Sequence, residues 1–324
     1  MKIVCTLTTA ALLASLTGLA ACGADADRTA SAGKTWAFTD GRGTRISLDH
    51  APSRIVAQSS IAAALKDDGV DVVGVFGPLK GKDGQVDPQA AGLDPSAVTD
   101  VTGTGEYGDL EMEELVGLRP DLLVTNMFVP PELWYVNKAT ETKVDGLTKT
   151  LAIDFQGKSL VETIEAVGTV AKALGGNDGA ADKAAFDDAS ARLRDVGRRL
   201  GDRKVLVVSA TTDLLYVADP SQFPDLAYFR SLGLPVVAAT AKAGSYWDEV
   251  SWEKADKYGG DVVLWDSRDG QGTLDLLRRQ PVFGQVAGAR AGRYVAWQAV
   301  APPSYRAYAA VMNALADKLE ASVR

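Results

Sequence analysis

The sequence predicts an α/β protein: two similar lobes with parallel sheets, separated by a charged helix. Three observations carry this. Runs rich in Val, Leu and Ile, such as residues 70–76 and 261–265, show no polar alternation, the pattern of strands covered by helices on both faces. Helix-length segments separate these runs. The series continues to Ile153, is interrupted by a charged amphipathic helix over 182–200, and then restarts.

At the start of the chain, Lys2 supplies a positive charge, and residues 3–19 are mostly apolar and uncharged. Leu19-Ala20-Ala21-Cys22 then leads into polar Gly23-Ala24-Asp25-Ala26-Asp27. This reads as an export signal over 1–21, too diluted by Ser and Thr for a comfortable membrane span. Leu19-Ala20-Ala21-Cys22 resembles the lipobox of bacterial lipoproteins. The resemblance implies acylation of Cys22 and an exported protein anchored by lipid to the outer face of the cell membrane. Residues 22–34 are small, polar and aperiodic, a flexible tether.

The N-terminal lobe is expected over 35–178. Trp36-Ala37-Phe38-Thr39 and Thr44-Arg45-Ile46-Ser47-Leu48 flank Asp40-Gly41, a hairpin signal in which Gly accepts a positive φ. Strands are expected at 54–57, 70–76, 121–125 and 151–153, with helices at 61–68 and 111–118. Ser159-Leu160-Val161-Glu162 has the capping-box pattern and opens a helix to Leu174, which Gly175-Gly176-Asn177-Asp178-Gly179 stops. The charged helix that separates the lobes follows within 179–201, with Ala185, Ala189, Leu193, Val196 and Leu200 on one stripe. The C-terminal lobe, 202–324, is expected to hold strands at 204–209, 234–238, 261–265 and 294–297. Its helices are expected at 224–232, 251–258 and 305–323.

Composition excludes much chemistry. With 42 Asp and Glu against 34 Lys and Arg, the net charge is −8, which argues against nucleic acid. The two cysteines are Cys5, inside the signal, and Cys22, so no disulfide is expected in the mature chain. His50 is the single histidine, which rules out two-His zinc sites. No Gly-x-Ser-x-Gly elbow accompanies it, and no catalytic residue or enzymatic activity is expected. Gly103-Thr104-Gly105-Glu106-Tyr107-Gly108 matches G-x-G-x-x-G. It lies among Asp100, Glu106, Asp109 and Glu111, which would repel a pyrophosphate, and reads as a turn.

One motif repeats. Residues 110–124 and 250–264 each give a short helix, a break at Pro120 or Gly260, and a strand opening with Asp121 or Asp261. Each places a glutamate seven residues before the break, Glu113 and Glu253. With the Thr39-Asp40-Gly41-Arg42-Gly43 opening, Pro52-Ser53-Arg54-Ile55-Val56 and Leu118-Arg119-Pro120-Asp121-Leu122-Leu123-Val124, the mature chain resembles the substrate-binding lipoproteins of ABC importers for ferric siderophores, cobalamin and haem. The resemblance implies a monomeric, bilobed periplasmic-binding-protein fold without a cofactor, its two Rossmann-like lobes joined by a single long interdomain helix, here 182–200. Its partners would be an ABC permease dimer with its ATPase subunits, docked through Glu113 and Glu253. The cargo would be a ferric siderophore, its iron bound through the chelator and not by protein ligands. Cobalamin or haem on the same fold is the alternative cargo. An exported glycoside hydrolase using two carboxylates is a different class of answer, to which no motif points.

In open α/β sheets ligands bind beyond the carboxyl ends of the strands. That rule nominates Ser59, Phe76, Phe128, Trp265, Arg268 and Trp297, with Tyr107, Trp134, Tyr216 and Trp247 on loops of the same edge. Together they predict an aromatic cleft for a large planar or multi-ring ligand. Arg268 suits chelate oxygens, or equally an ion pair with Asp266 or Asp269.

Overall fold

The computed structural model describes residues 35–322 except 82, 83 and 269. The expected signal, Cys22 and the tether lie outside the described residues.

A hairpin of β1 (Trp36–Thr39) and β2 (Arg45–Leu48) opens the described chain. Buried Asp40 organises its turn, accepting from the amides of Arg42 at 2.9 Å and Thr44 at 3.0 Å. The positive φ falls on Gly43, at 74°, not on Gly41. Gly41 is required by proximity instead: a Cβ there would lie 2.4 Å from the Asp154 amide nitrogen.

The first lobe follows as β3 (Ile55–Gln58), α1 (Ser59–Asp67), β4 (Gly74–Phe76), β5 (Thr99–Asp100), α2 (Met112–Leu118), β6 (Leu122–Met127), α3 (Lys138–Asp145) and β7 (Lys149–Asp154). Its sheet runs β5-β4-β3-β6-β7 and is parallel throughout, as expected. Then come α4 (Leu160–Ala173) and α5 (Lys183–Leu200), the latter at the position foreseen for the interdomain helix. The capping box forms: the Ser159 amide donates to Glu162 at 2.8 Å, and the Glu162 amide to Ser159 Oγ at 3.3 Å.

The second lobe comprises β8 (Val205–Ala210), β9 (Leu214–Ala218), α6 (Pro224–Ser231), β10 (Trp247–Ser251), β11 (Val262–Asp266), α7 (Gln271–Arg279), α8 (Ala287–Arg290), β12 (Tyr294–Trp297) and α9 (Tyr305–Ser322). Its sheet runs β10-β9-β8-β11-β12, and here the expectation of a parallel sheet is corrected. The β8–β11 and β11–β12 pairs are parallel, but β9 runs antiparallel to both its neighbours, β8 and β10. The strand expected at 234–238 reduces to a single bridge between Val236 and Val205. The helix expected at 251–258 is only a 3₁₀ turn, Trp252–Lys254.

Each five-stranded sheet is covered on both faces. α4 belongs to both lobes. Leu160 and Ile164 pack with Phe186 and Phe229 in the second lobe, while Val167, Val170 and Ala171 pack with Ile61 and Leu65 in the first. α5 lies wholly in the second core, beside Met312 and Leu315 of α9, so the expectation that 182–200 is the helix joining the lobes is corrected: α4 is the helix shared by both.

The repeated motif is a structural repeat. The Asp121 amide donates to Arg54 O at 2.9 Å and Asp121 Oδ2 accepts from Arg54 N at 2.8 Å. The Asp261 amide donates to Lys204 O at 2.7 Å and Asp261 Oδ2 accepts from Lys204 N at 2.8 Å. Each aspartate thus ties the start of β6 or β11 to the neighbouring strand. Both breaks pass through a left-handed residue, Arg119 at φ 47° and Gly259 at φ 64°. Gly260 stands where the first copy has Pro120 because a Cβ would approach Leu206 Cβ to 2.6 Å. Gly260→Ala is therefore expected to cost about 1–3 kcal/mol in urea unfolding. By contrast, Gly117 on α2 has open space around its Cα, and Gly117→Ala should gain up to about 1 kcal/mol.

Candidate functional site

The carboxyl ends of the parallel strands and the loops that follow them meet between the lobes. After β6 the chain passes Phe128 and returns, with the Trp134 amide donating to Asn126 O at 2.8 Å and Thr125 Oγ1 to Trp134 O at 2.8 Å. These bonds fix Trp134 over the strand end. Tyr135 follows at φ 57°, a strained conformation for an aromatic residue, with its amide donating to Tyr107 Oη at 3.2 Å. In the second lobe Asp219 shapes the facing loop. Its carboxylate accepts from Ser221 N at 2.9 Å and Ala241 N at 3.0 Å, and its amide donates to Tyr246 O at 3.0 Å. This presents Gln222 and Phe223 beside Tyr246 and Trp247.

The two sets of rings form a seam. Phe128 packs edge-on against Trp134 at 4.8 Å, Phe155 at 5.6 Å and, across the lobes, Tyr246 at 6.4 Å. Tyr246 Oη donates to Phe128 O at 3.1 Å. Phe223 packs against Trp247 at 5.0 Å and Trp297 at 5.2 Å. A cavity of about 150 Å³ includes Phe128, Trp134, Phe223, Tyr246, Trp247 and Arg268 in its lining. A second cavity, of about 460 Å³, shares Phe128, Phe155, Gln222, Pro224 and Tyr246 with it. The Phe128–Tyr246 contact therefore stands between two parts of one interlobe cleft.

Of the residues nominated from sequence, Phe128, Trp134, Trp247 and Arg268 come together around this cavity. Tyr107 adjoins Trp134 and Tyr135 and is 60% exposed, and Tyr216 backs Trp247 at 6.4 Å. Ser59, Phe76, Trp265 and Trp297 are corrected: all four are buried in the cores and line neither cavity. Ser59 Oγ donates to Phe76 O at 2.9 Å, and Trp297 Nε1 to Asp225 Oδ2 at 2.8 Å. Strand-end position puts a residue near the cleft, but the pleat decides which side chains face it. Sequence reasoning missed Phe223 and Tyr246, which lie on loops without regular periodicity. It also missed Asp225, whose burial no sequence signal reveals.

Arg268 both lines the cavity and forms an ion pair. Its Nε donates to both Asp266 oxygens at 3.0 Å and its Nη2 to Oδ2 at 2.6 Å. Asp266 is buried, so the pair fixes the guanidinium at the cavity wall. Trp134 Nε1 and both amide atoms of Asn126 are buried with no hydrogen-bond partner among the described residues. Asp225, 3% exposed, has no cationic partner among the described residues. Burial pushes its carboxyl from 3.8 up to about 7, against the opposing Trp297 indole and Leu226 amide.

Glu113 lies exposed in the first turn of α2, and Glu253 exposed in the 3₁₀ turn after β10, one glutamate on each lobe. The Gly103–Gly108 segment is a turn that opens no helix. No group of three or more His, Cys, Asp or Glu side chains suited to a metal occurs among the described residues.

The chain matches the periplasmic binding protein family over residues 57–301. No curated protein matches it. Among solved structures it is similar to DesE, a ferric-siderophore receptor protein from Streptomyces coelicolor. That match has 35% identity and a TM-score of 0.79, covering 88% of this chain and 98% of DesE. It is also similar to the siderophore periplasmic binding protein of the fuscachelin gene cluster of Thermobifida fusca. There the identity is 19% and the TM-score 0.60, over 83% of this chain and 97% of that one. FhuD2 from Staphylococcus aureus with bound ferrioxamine B gives 17% and 0.60, over 84% and 100%. The last two share the fold.

The raised Asp225 carboxyl gives a stability prediction. The unfolded chain releases this proton near pH 3.8 and the folded chain near 7, so deprotonation favours unfolding progressively between those values. Asp225→Asn keeps an acceptor for Trp297 and removes that term. Its melting temperature is expected to exceed that of the wild type by several degrees at pH 8, the gap closing towards pH 4.

Proposed function

The chain belongs to the periplasmic binding protein family, and on that premise we propose that it captures a ferric siderophore in the aromatic cleft and delivers it to an ABC permease. The observation that carries this reading is the 35% identity, over 88% of the chain, to a ferric-siderophore receptor protein. The cleft chemistry agrees with it. Aromatic edges and faces suit a bulky, multi-ring chelate. The anchored Arg268 guanidinium and the unpartnered Trp134 indole N–H offer donors to chelate oxygens.

Membership implies a protein that acts outside the cytoplasm. The lipid anchor on Cys22 is part of the proposal, and with it the tether over 22–34. Docking is assigned to Glu113 and Glu253. Exposed ion pairs contribute only about 0–1 kcal/mol each, but they accelerate encounter and fix orientation. A carrier that must dock, unload and leave requires that balance.

The test is a titration of protein lacking residues 1–22 with ferric siderophores, iron-free siderophores, cobalamin and haem, followed by Trp fluorescence. Quenching by a ferric siderophore at sub-micromolar concentration is the expected result. A response to cobalamin or haem alone would transfer the reading to that cargo. Arg268→Ala should weaken binding by about 1.5–3 kcal/mol, the range for hydrogen bonds to charged groups. Glu113→Ala combined with Glu253→Ala should leave ligand affinity intact and abolish uptake into cells. Loss of ligand binding in that double variant would refute the docking assignment.

A further inference from the structure

Asp225 has a feature that a purely structural role does not require. It lines the smaller cavity with Leu160, Thr163, Phe223, Ala301 and Tyr308, an otherwise largely apolar set. It sits in the first turn of α6, and one carboxylate oxygen accepts from Trp297 Nε1. An asparagine would serve that indole equally well. A buried carboxylate without a cation is expensive to maintain, and the nearest fixed cation on the wall, Arg268, is held by Asp266.

We propose that this cavity receives a protonated alkylamine arm of the cargo, with the Asp225 carboxylate as its counter-ion. The inference rests on the ferric-chelate reading and names a chemical class within it: chelates that end in a primary amine. Size agrees. About 150 Å³ is the size of an engineered apolar cavity that holds one benzene, suited to a short alkyl chain and not to a whole chelate. The bulk of the chelate is left to the rest of the cleft, against the Arg268 and Trp134 wall and towards the larger cavity beyond the Phe128–Tyr246 contact. Chemistry agrees as well. The methylenes would lie against Leu160 and Ala301, and the ammonium would meet Asp225 with the Phe223 and Trp247 rings close by.

Several groups face Asp225: the Trp297 indole N–H from β12, Asp266 from the end of β11, the Leu226 amide of α6 and the Tyr308 hydroxyl from α9. None is cationic, so the ammonium would be the first positive charge in direct contact. Because burial holds the unliganded carboxyl at about 7, ammonium binding would expel its proton. Affinity for the amine should therefore rise between pH 6 and 8 and level off above.

The test compares the ferric complex of a trihydroxamate ending in a primary amine with its N-acetyl derivative. The amine form is expected to bind more tightly. Asp225→Asn should weaken it by roughly 30-fold or more, as for loss of one partner of a buried charge pair, and bring the two affinities together. Equal affinity of both forms for the wild type, or an unchanged ratio in Asp225→Asn, would overturn the proposal. A thermal melt establishes that the variant is folded. Should neither chelate bind, a ferric trihydroxamate is not the cargo, and n-pentylammonium decides the inference alone. A saturable shift of the Trp297 indole N–H resonance, absent with 1-pentanol and lost in Asp225→Asn, upholds it. No such shift refutes it.

Discussion

The constraint on which the cleft depends is that one helix, α4, is built into two cores. Its first turns bury Leu160 and Ile164 in the second lobe, and its later turns bury Val167, Val170 and Ala171 in the first. Removing a large side chain from a packed core costs about 2–5 kcal/mol. Pulling the lobes apart would expose several such residues at once. The lobes are held further by Ser304 Oγ donating to Asp67 at 2.5 Å, Arg306 bridging Asp67 and Asp182, and Gln298 Nε2 donating to Pro88 O at 2.8 Å. A molecule tied in this way adjusts by small rotations and side-chain movements, not by a wide hinge.

A rigid connection places the demand for adaptability on the seam. Phe128 and Tyr246 meet edge to face and share one hydrogen bond between opposite lobes. That contact is worth far less than the shared helix: about 0.5–1.5 kcal/mol for an aromatic pair and a similar amount for the bond. It is therefore the part of the interface a ligand can displace. The loops that carry these rings are themselves well anchored, by Asn126 and Thr125 on one side and by Asp219 on the other. The backbone of the site is preorganised while its central ring contact remains exchangeable.

Much of the fold was legible from local signals. The capping box at Ser159, the hairpin at Asp40, the parallel first sheet and the repeat ending in Asp121 and Asp261 all follow from residues close in sequence, and each is present. The antiparallel pair β9 and β10 was not foreseen. Leu214–Ala218 and Trp247–Ser251 are separated by a helix, and their pairing depends on long-range register. The pleat likewise escaped a one-dimensional reading. Trp297 and Phe76 occupy strand ends as expected, but their side chains turn into the cores. Of the nominated residues, Phe128, Trp134, Trp247 and Arg268 do line the interlobe cavity. Burial of Asp225 depends on Trp297, Tyr308 and α4 closing around it, a property of the assembled fold.

The two carboxylates near the cleft show why assembly matters to chemistry. Asp266 and Asp225 are both buried, yet only Asp266 has a guanidinium across two of its lone-pair directions. Asp266 and Arg268 form a nearly neutral unit that shapes the wall. Asp225, without such a partner, shifts its proton affinity instead, the usual response of a buried charge that lacks compensation. Sequence alone gives two aspartates on an acidic chain. The fold makes one a structural brace and leaves the other responsive to whatever positive charge enters the cavity.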